Sequence, residues 1–241
     1  MARLLIGTSG YSFKQWKGHF YPSDLSDKDM LSFYSRALPA VEINYTFRHL
    51  PSAKSIAGWA EATPPEFVFV LKASQRITHI LRLKNAGEAA QTFMTAASGL
   101  GPKLGPVLFQ LPPFQQKDTA RLQAFLGDLP AGHRYAFEFR HPSWFDAEVE
   151  DLLRGAGASL CIAETEDGCP ALVTTAPFLY IRLRSPSYAP AEIAAWGSRI
   201  RELLGRQIDV FAFFKHEDEG PRYAQALLQA AAAQVAVTPP E

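Results

Sequence analysis

Eight short apolar runs, rich in β-branched and aromatic residues, recur along the chain and constrain its fold more than any other feature. They read LLIGTS (4–9), VEINYT (41–46), FVFVLK (67–72), PVLFQL (106–111), YAFEFR (135–140), ASLCIAE (158–164), FLYIRLR (178–184) and DVFAFFK (209–215). Runs of this length and composition form strands. Between most of them the apolar positions fall at i, i+3 and i+4, as in an amphipathic helix. DKDMLSFYSRA, PSAKSIAGWAEA, DTARLQAFLGDL, DAEVEDLLRGAG, AEIAAWGSRIRELLG and GPRYAQALLQAAAAQ all show that spacing. Asp27, Ser52, Asp118 and Asp146 stand where helix N-caps are expected. The segment after FVFVLK is less regular and predicts a loop ahead of its helix. Strands alternating with helices pair in parallel. Eight such units in 241 residues predict an α/β fold, a single (β/α)8 TIM barrel, whose usual length is about 250 residues. No linker or low-complexity segment divides residues 1–241, and the tail VAVTPPE (235–241) is expected to fray.

Composition narrows the function classes. Hydrophobic residues make up 47%, enough for a sizeable core, while Lys plus Arg and Asp plus Glu both number 24. A neutral chain lacks the global basic bias of a dedicated nucleic-acid binder, so any charge-based function must be local. No apolar run approaches the ~18 residues of a spanning helix, and the N-terminus lacks the apolar stretch of a signal peptide. A cytoplasmic protein without a membrane partner is expected. Cys161 and Cys169 form no CxxC pattern, which argues against a disulfide framework and a zinc cluster.

Alternation along the strands points to a site. In YAFEFR, Tyr135, Phe137 and Phe139 share one face, while Ala136, Glu138 and Arg140 share the other. In a barrel the aromatic face packs under helices, and the two charges approach the mouth from inside. The other strands follow suit. Glu42, Asn44 and Thr46 share a face; Val68 and Val70 share one with Lys72; Leu108 shares one with Gln110. Ile162 goes with Glu164, and Phe178 and Tyr180 go with Arg182 and Arg184. The last strand ends in Lys215 and His216, and alternation alone leaves open which faces inward. Barrel enzymes place their active sites at these C-terminal strand ends.

The segments GTSGYSFKQWKGHFYP (7–22), VEINYTFRHLP (41–51), FVFVLKASQRITH (67–79), LGPVLFQLPPFQ (104–115), AFEFRHPSW (136–144), LYIRLR (179–184) and FFKHEDEG (213–220) together resemble the YecE-like family, a domain of unknown function numbered 72. The resemblance spans nearly the whole chain in order. It implies a (β/α)8 barrel and no particular reaction. It also implies a site on Glu42, Asn44, Lys72, Gln110, Glu138, Arg140 and Trp144. The family is likened to the endonuclease IV and xylose isomerase barrels, with a suggested DNA-related role, which is analogy of fold alone. Tyr11, Arg48 and the Lys215-His216-Glu217 end depart from the family pattern.

Two functions fit these residues. The first is a metal-independent hydrolase or isomerase acting on an anionic small molecule or sugar phosphate. Glu42 and Glu138 would serve as acid and base, and Lys72 as electrostatic stabiliser. Arg140, Arg182, Arg184 and Lys215 would clamp the anion beside Ser185 and Ser187, where barrels often bind phosphate. Tyr11, Trp16, Asn44, Gln110, Trp144 and Glu164 would line the substrate; Phe20 and Tyr21 would be core. A competing account makes the charges structural pairs, with Arg182 held by Glu164 or Glu138. The second function is a nucleic-acid module, in which the basic 72–84 segment tracks phosphates and loop aromatics stack bases. Metal dependence and other cofactors are not expected. The chain has no HxH, HExxH, GxGxxG or GxxxxGK[ST], and neither Ser9 nor Cys161 has a paired His in sequence.

Overall fold

The computed structural model describes residues 1–165 and 168–232. Eight parallel strands close into a barrel in chain order. They are β1 (Leu4–Thr8), β2 (Ala40–Ile43), β3 (Val68–Lys72), β4 (Leu104–Gln110), β5 (Tyr135–Glu138), β6 (Ser159–Ala163), β7 (Phe178–Leu183) and β8 (Asp209–Phe214). Closure rests on β1 pairing with β8, from Leu4 opposite Val210 to Thr8 opposite Phe214. Seven α-helices pack outside among the described residues: α1 (Met30–Ala37), α2 (Ala53–Glu61), α3 (Gly87–Ala97), α4 (Thr119–Asp128), α5 (Ala147–Gly155), α6 (Pro190–Gly205) and α7 (Gly220–Ala232). The described residues between β6 and β7 carry no helix. The tail expected to fray lies outside the described residues.

Three of the four expected caps start helices. Ser52 accepts from the Ser55 amide at 3.1 Å, Asp118 from Arg121 at 2.9 Å and Asp146 from Val149 at 3.1 Å. Each satisfies an amide that the helix cannot. Asp27 does not cap; its carboxylate meets Lys17 Nζ at 3.0 Å instead.

The sheet divides two apolar layers. Outside, Val41, Phe69, Phe109, Phe137, Ile162 and Ile181 pack under helix residues such as Tyr34, Phe93, Phe125 and Leu203. Inside, Leu5, Val68, Val70, Leu108, Ala136, Cys161, Phe178, Tyr180, Phe211 and Phe213 fill the lumen. Phe178 and Phe211 meet edge to face at 5.8 Å near the N-terminal end, with the Arg134 guanidinium over both rings. That end is therefore packed, and the polar inward residues gather at the other. Between β1 and β2, the Tyr34 hydroxyl enters the sheet. It accepts from the Thr8 amide at 2.9 Å and donates to the Ala40 carbonyl at 3.0 Å. Gly7 is required here, because a Cβ would lie 1.9 Å from the Ala40 oxygen.

Candidate functional site

The deepest polar layer is an ion cluster centred on Arg182. Its Nη1 donates to Glu138 Oε2 at 2.6 Å and its Nη2 to Glu42 Oε1 at 2.8 Å. The Tyr180 hydroxyl donates to Glu42 Oε2 at 2.7 Å, and Asn44 Nδ2 to Glu42 Oε1 at 3.0 Å. Arg140 Nε donates to Glu138 Oε1 at 3.0 Å. All four carboxylate oxygens thus accept hydrogen bonds. Both glutamates are fully buried, and Arg182 is 2% exposed. Burial alone would raise both carboxyl pKa values. For Glu42, Arg182 and Tyr180 outweigh burial and hold it low. For Glu138, Arg182, Arg184 and Arg140 outweigh burial and hold it at about 2. Arg182 is in turn pushed up by both glutamates against its own burial.

Above this layer the charges are no longer balanced. Arg140, Arg184 and Lys215 line a cavity of about 830 Å³, with Pro113, Phe145, Ala163, Thr165 and Cys169 as further walls. Arg184 reaches Glu138 Oε1 only at 3.6 Å, and its Nε donates to the Glu164 carbonyl at 3.2 Å. Lys72 Nζ donates to Gln110 Oε1 at 2.8 Å and lies 4.3 Å from the Phe47 ring centre. Burial first, then Arg182, lowers the Lys72 pKa to about 8. Burial and the three arginines lower that of Lys215. Two carboxylates, Glu42 and Glu138, therefore face five cations, Lys72, Arg140, Arg182, Arg184 and Lys215, and Arg182 alone engages both carboxylates. A separate cavity of about 470 Å³ lies past the ends of β1 and β2 and is lined by Ser9, Tyr11, Asn44, Tyr45 and Trp59.

Comparison with known proteins fits this barrel. The model of a family described as "Protein of unknown function DUF72" matches residues 5–241. The chain belongs to the DUF72 family. UPF0759 protein YecE of Escherichia coli K12 is 34% identical over 128 residues, 52% of this chain and 47% of YecE. UPF0759 protein YunF of Bacillus subtilis 168 is 31% identical over 156 residues, 59% of this chain and 52% of YunF. The chain spans about half the length of these curated relatives. The crystal structure of a DUF72 family protein from Thermotoga maritima superposes with a TM-score of 0.79 at 24% identity, covering 96% of this chain and 100% of that one. At that identity the likeness speaks to fold.

The DUF72 barrel brings Glu42, Asn44, Lys72, Gln110, Glu138, Arg140, Arg182 and Arg184 to one end of one lumen, as the alternation implies, and adds Lys215, which alternation left open. Several expected roles change. Arg182 does not face the cavity; it is the structural partner of Glu138 and Glu42, not of Glu164. Glu42 and Glu138 are held as ionised acceptors by Arg182, Arg140, Tyr180 and Asn44. Glu164 points away from the lumen, because Ser159, Cys161 and Ala163 are the inward residues of β6. Its carboxylate instead receives the Tyr188 hydroxyl. Trp16 is fully buried, donates to the Glu217 carbonyl and packs on Phe13 and Tyr21. Trp144 stacks on Phe139 at 4.4 Å and donates to the Gln115 carbonyl at 2.7 Å. Neither tryptophan offers a face to a ligand. Lys215 is the inward residue of its pair; His216 turns outward onto Tyr223. The Ser185 hydroxyl is engaged by the Ser187 carbonyl at 2.8 Å.

Three features had no assigned role in the sequence reading. Tyr180 completes the Glu42 shell, although its place on the Arg182 face was visible. Phe47 covers Lys72. Ala163, a small inward residue of β6, lines the cavity. Among the described residues no three His, Cys, Asp or Glu side chains gather as a metal site, and no helix is long and apolar enough to cross a membrane.

Proposed function

We propose that this DUF72 chain binds a small molecule bearing a phosphate or carboxylate at the C-terminal mouth of its barrel and acts on it as an enzyme. The supporting observation is the charge imbalance. Arg182 engages both Glu42 and Glu138, and of these only Glu138 reaches the cavity cations, at 3.0 Å from Arg140 and 3.6 Å from Arg184, so Arg140, Arg184 and Lys215 around the cavity outnumber the anions that meet them. Guanidinium groups donate paired N–H bonds to two oxygens of a carboxylate or phosphate, and an ammonium beside them adds positive charge. The donor set does not suit a metal, since every oxygen of the two inward carboxylates already accepts from Arg140, Arg182, Tyr180 or Asn44. Catalysis then falls to Lys72, an inward amine whose pKa burial and neighbouring guanidinium groups lower to about 8.

A second reading rests on the rim. Tyr45, Ile80, Phe114 and Phe145 are exposed there, and Arg82 lies 5.1 Å over the Phe114 ring. Aromatic and basic groups together could stack bases and meet phosphates. Calorimetric titration separates the two readings. Inorganic phosphate binding to wild type, weakened in Lys215→Ala, supports the small-anion site. Tight binding of a short DNA that weakens steeply with salt, with no phosphate binding, supports the rim.

A further inference from the structure

We infer that Lys72 is the amine that condenses with a carbonyl carbon of the substrate, which narrows the ligand to an aldehyde or ketone bearing a phosphate or carboxylate. The anionic half of that ligand class rests on the proposed anion site; the amine chemistry does not.

Geometry carries the inference. Lys72 ends β3 on its inward face, half-buried, and makes no salt bridge among the described residues. A lysine serving only stability would pair with a carboxylate, and Glu42 and Glu138 both sit in the same lumen. Both are taken by Arg182 instead. Lys72 is held by a neutral acceptor, Gln110 Oε1, and by the Phe47 ring. That partner suits either protonation state. An uncharged amine can still donate one N–H to Gln110 and keep its lone pair for attack. The groups around it are Glu42 from β2, His79 after β3, Gln110 from β4, Glu138 from β5, Arg140 just past β5, and Arg182 from β7. Burial and neighbouring guanidinium groups favour the free amine, the recognised way of activating a lysine nucleophile. His79 is also lowered by burial, Lys72 and Arg140.

The step balances without an added oxidant or reductant. Lys72 ammonium loses one proton to solvent. The amine lone pair forms the N–C bond as the carbonyl π pair moves to oxygen, which takes up a proton. The nitrogen loses a proton, the carbinol oxygen gains another, and water leaves as the C–O bond breaks. The product is the iminium, whose positive nitrogen draws electrons from the adjacent carbon; loss of one more proton gives the neutral imine. Arg140, Arg184 and Lys215 would hold the anionic end meanwhile. Lys215 is the rival amine, but it is exposed.

The test treats wild-type protein with glycolaldehyde phosphate or glycolaldehyde in the presence of sodium cyanoborohydride. Intact mass and peptide mapping then locate the reduced adduct. The expected result is one adduct, on Lys72, formed about tenfold or more faster at pH 8 than on any other lysine. Labelling should follow an apparent pKa near 8, and Lys72→Met and Lys72→Arg should abolish it while keeping the wild-type circular dichroism spectrum. Adducts on Lys215, or scattered over surface lysines, overturn the assignment. Absence of a Lys72 adduct while inorganic phosphate still binds overturns the amine and spares the anion site. Equal labelling of Lys72 by glycolaldehyde with and without phosphate, unaffected by inorganic phosphate, spares the amine and overturns the anionic half.

Discussion

Arg182 and Arg184 stand two residues apart on the same face of one strand, yet their surroundings differ completely. Arg182 is sealed inside the lumen, and its two terminal nitrogens meet Glu138 and Glu42. Arg184 stands at the wall of an open cavity, with Glu138 only at 3.6 Å. In the lower layer a charge exists because another charge needs it. Removing one member leaves a buried ion unpaired. In the upper layer, water screens the cations, so their excess costs little and remains available to a ligand. A few ångströms of depth separate a structural ion cluster from a candidate binding site.

The comparison can be broken at several points, and the largest effect is expected in the lower layer. Arg182→Met strands two buried carboxylates and should cost about 3–5 kcal/mol. Urea unfolding would register that as a large fall in midpoint; a loss under about 1 kcal/mol would mean that the lumen admits water. Acid should attack the same layer. Glu138 titrates at about 2 when folded against 4.5 as a free side chain. The unfolded chain therefore binds the proton more tightly. This contribution is fully present above pH 4.5 and is lost as pH falls toward 2, for a total of about 3 kcal/mol. Stability curves of wild type and Glu138→Gln, measured from pH 6 to 3, should converge as pH falls.

Upper-layer effects on stability should be smaller. Arg140→Ala removes an exposed guanidinium and one contact to Glu138, which Arg182 still holds, and should cost about 1 kcal/mol. Lys72→Met should go the other way. Folded Lys72 titrates at about 8 against 10.5 when free, so the folded state binds that proton less tightly. Wild-type stability therefore rises as pH climbs from 8 to 10.5. The methionine variant should lack that rise and gain about 1 kcal/mol at pH 7, a value discounted for partial exposure. A thermal-melt series across pH would show whether the slope disappears.

How much of this was legible in the sequence depends on whether the signal was local. The barrel was legible, because alternation and helical periodicity are both properties of neighbouring residues. The convergence of Glu42, Lys72, Glu138 and Arg184 followed from strand parity. Glu164 misled because a charge at a strand end says nothing about its face. The small residues Ser159, Cys161 and Ala163, set against bulky Leu160 and Ile162, carried the better clue. Trp16 and Trp144 misled because a loop aromatic in sequence has no depth. The choice between clamp and ion pair for Arg182 needed closure, since Glu42, Glu138 and Arg182 come from strands that meet only across the lumen. The setting of Lys72 needed the same closure, for its guanidinium neighbours are Arg182 on β7 and Arg140 just past β5.

The central claim is that depth divides these charges into a structural layer and a binding layer. It is tested most directly by Arg182→Met and Arg184→Met side by side, each read by urea unfolding and by titration with inorganic phosphate. The account predicts that Arg184→Met keeps wild-type stability within about 1 kcal/mol and loses about tenfold or more in phosphate affinity. It predicts that Arg182→Met loses several times more stability than Arg184→Met. Two variants equally destabilised, with phosphate binding as in wild type in Arg184→Met, would contradict it.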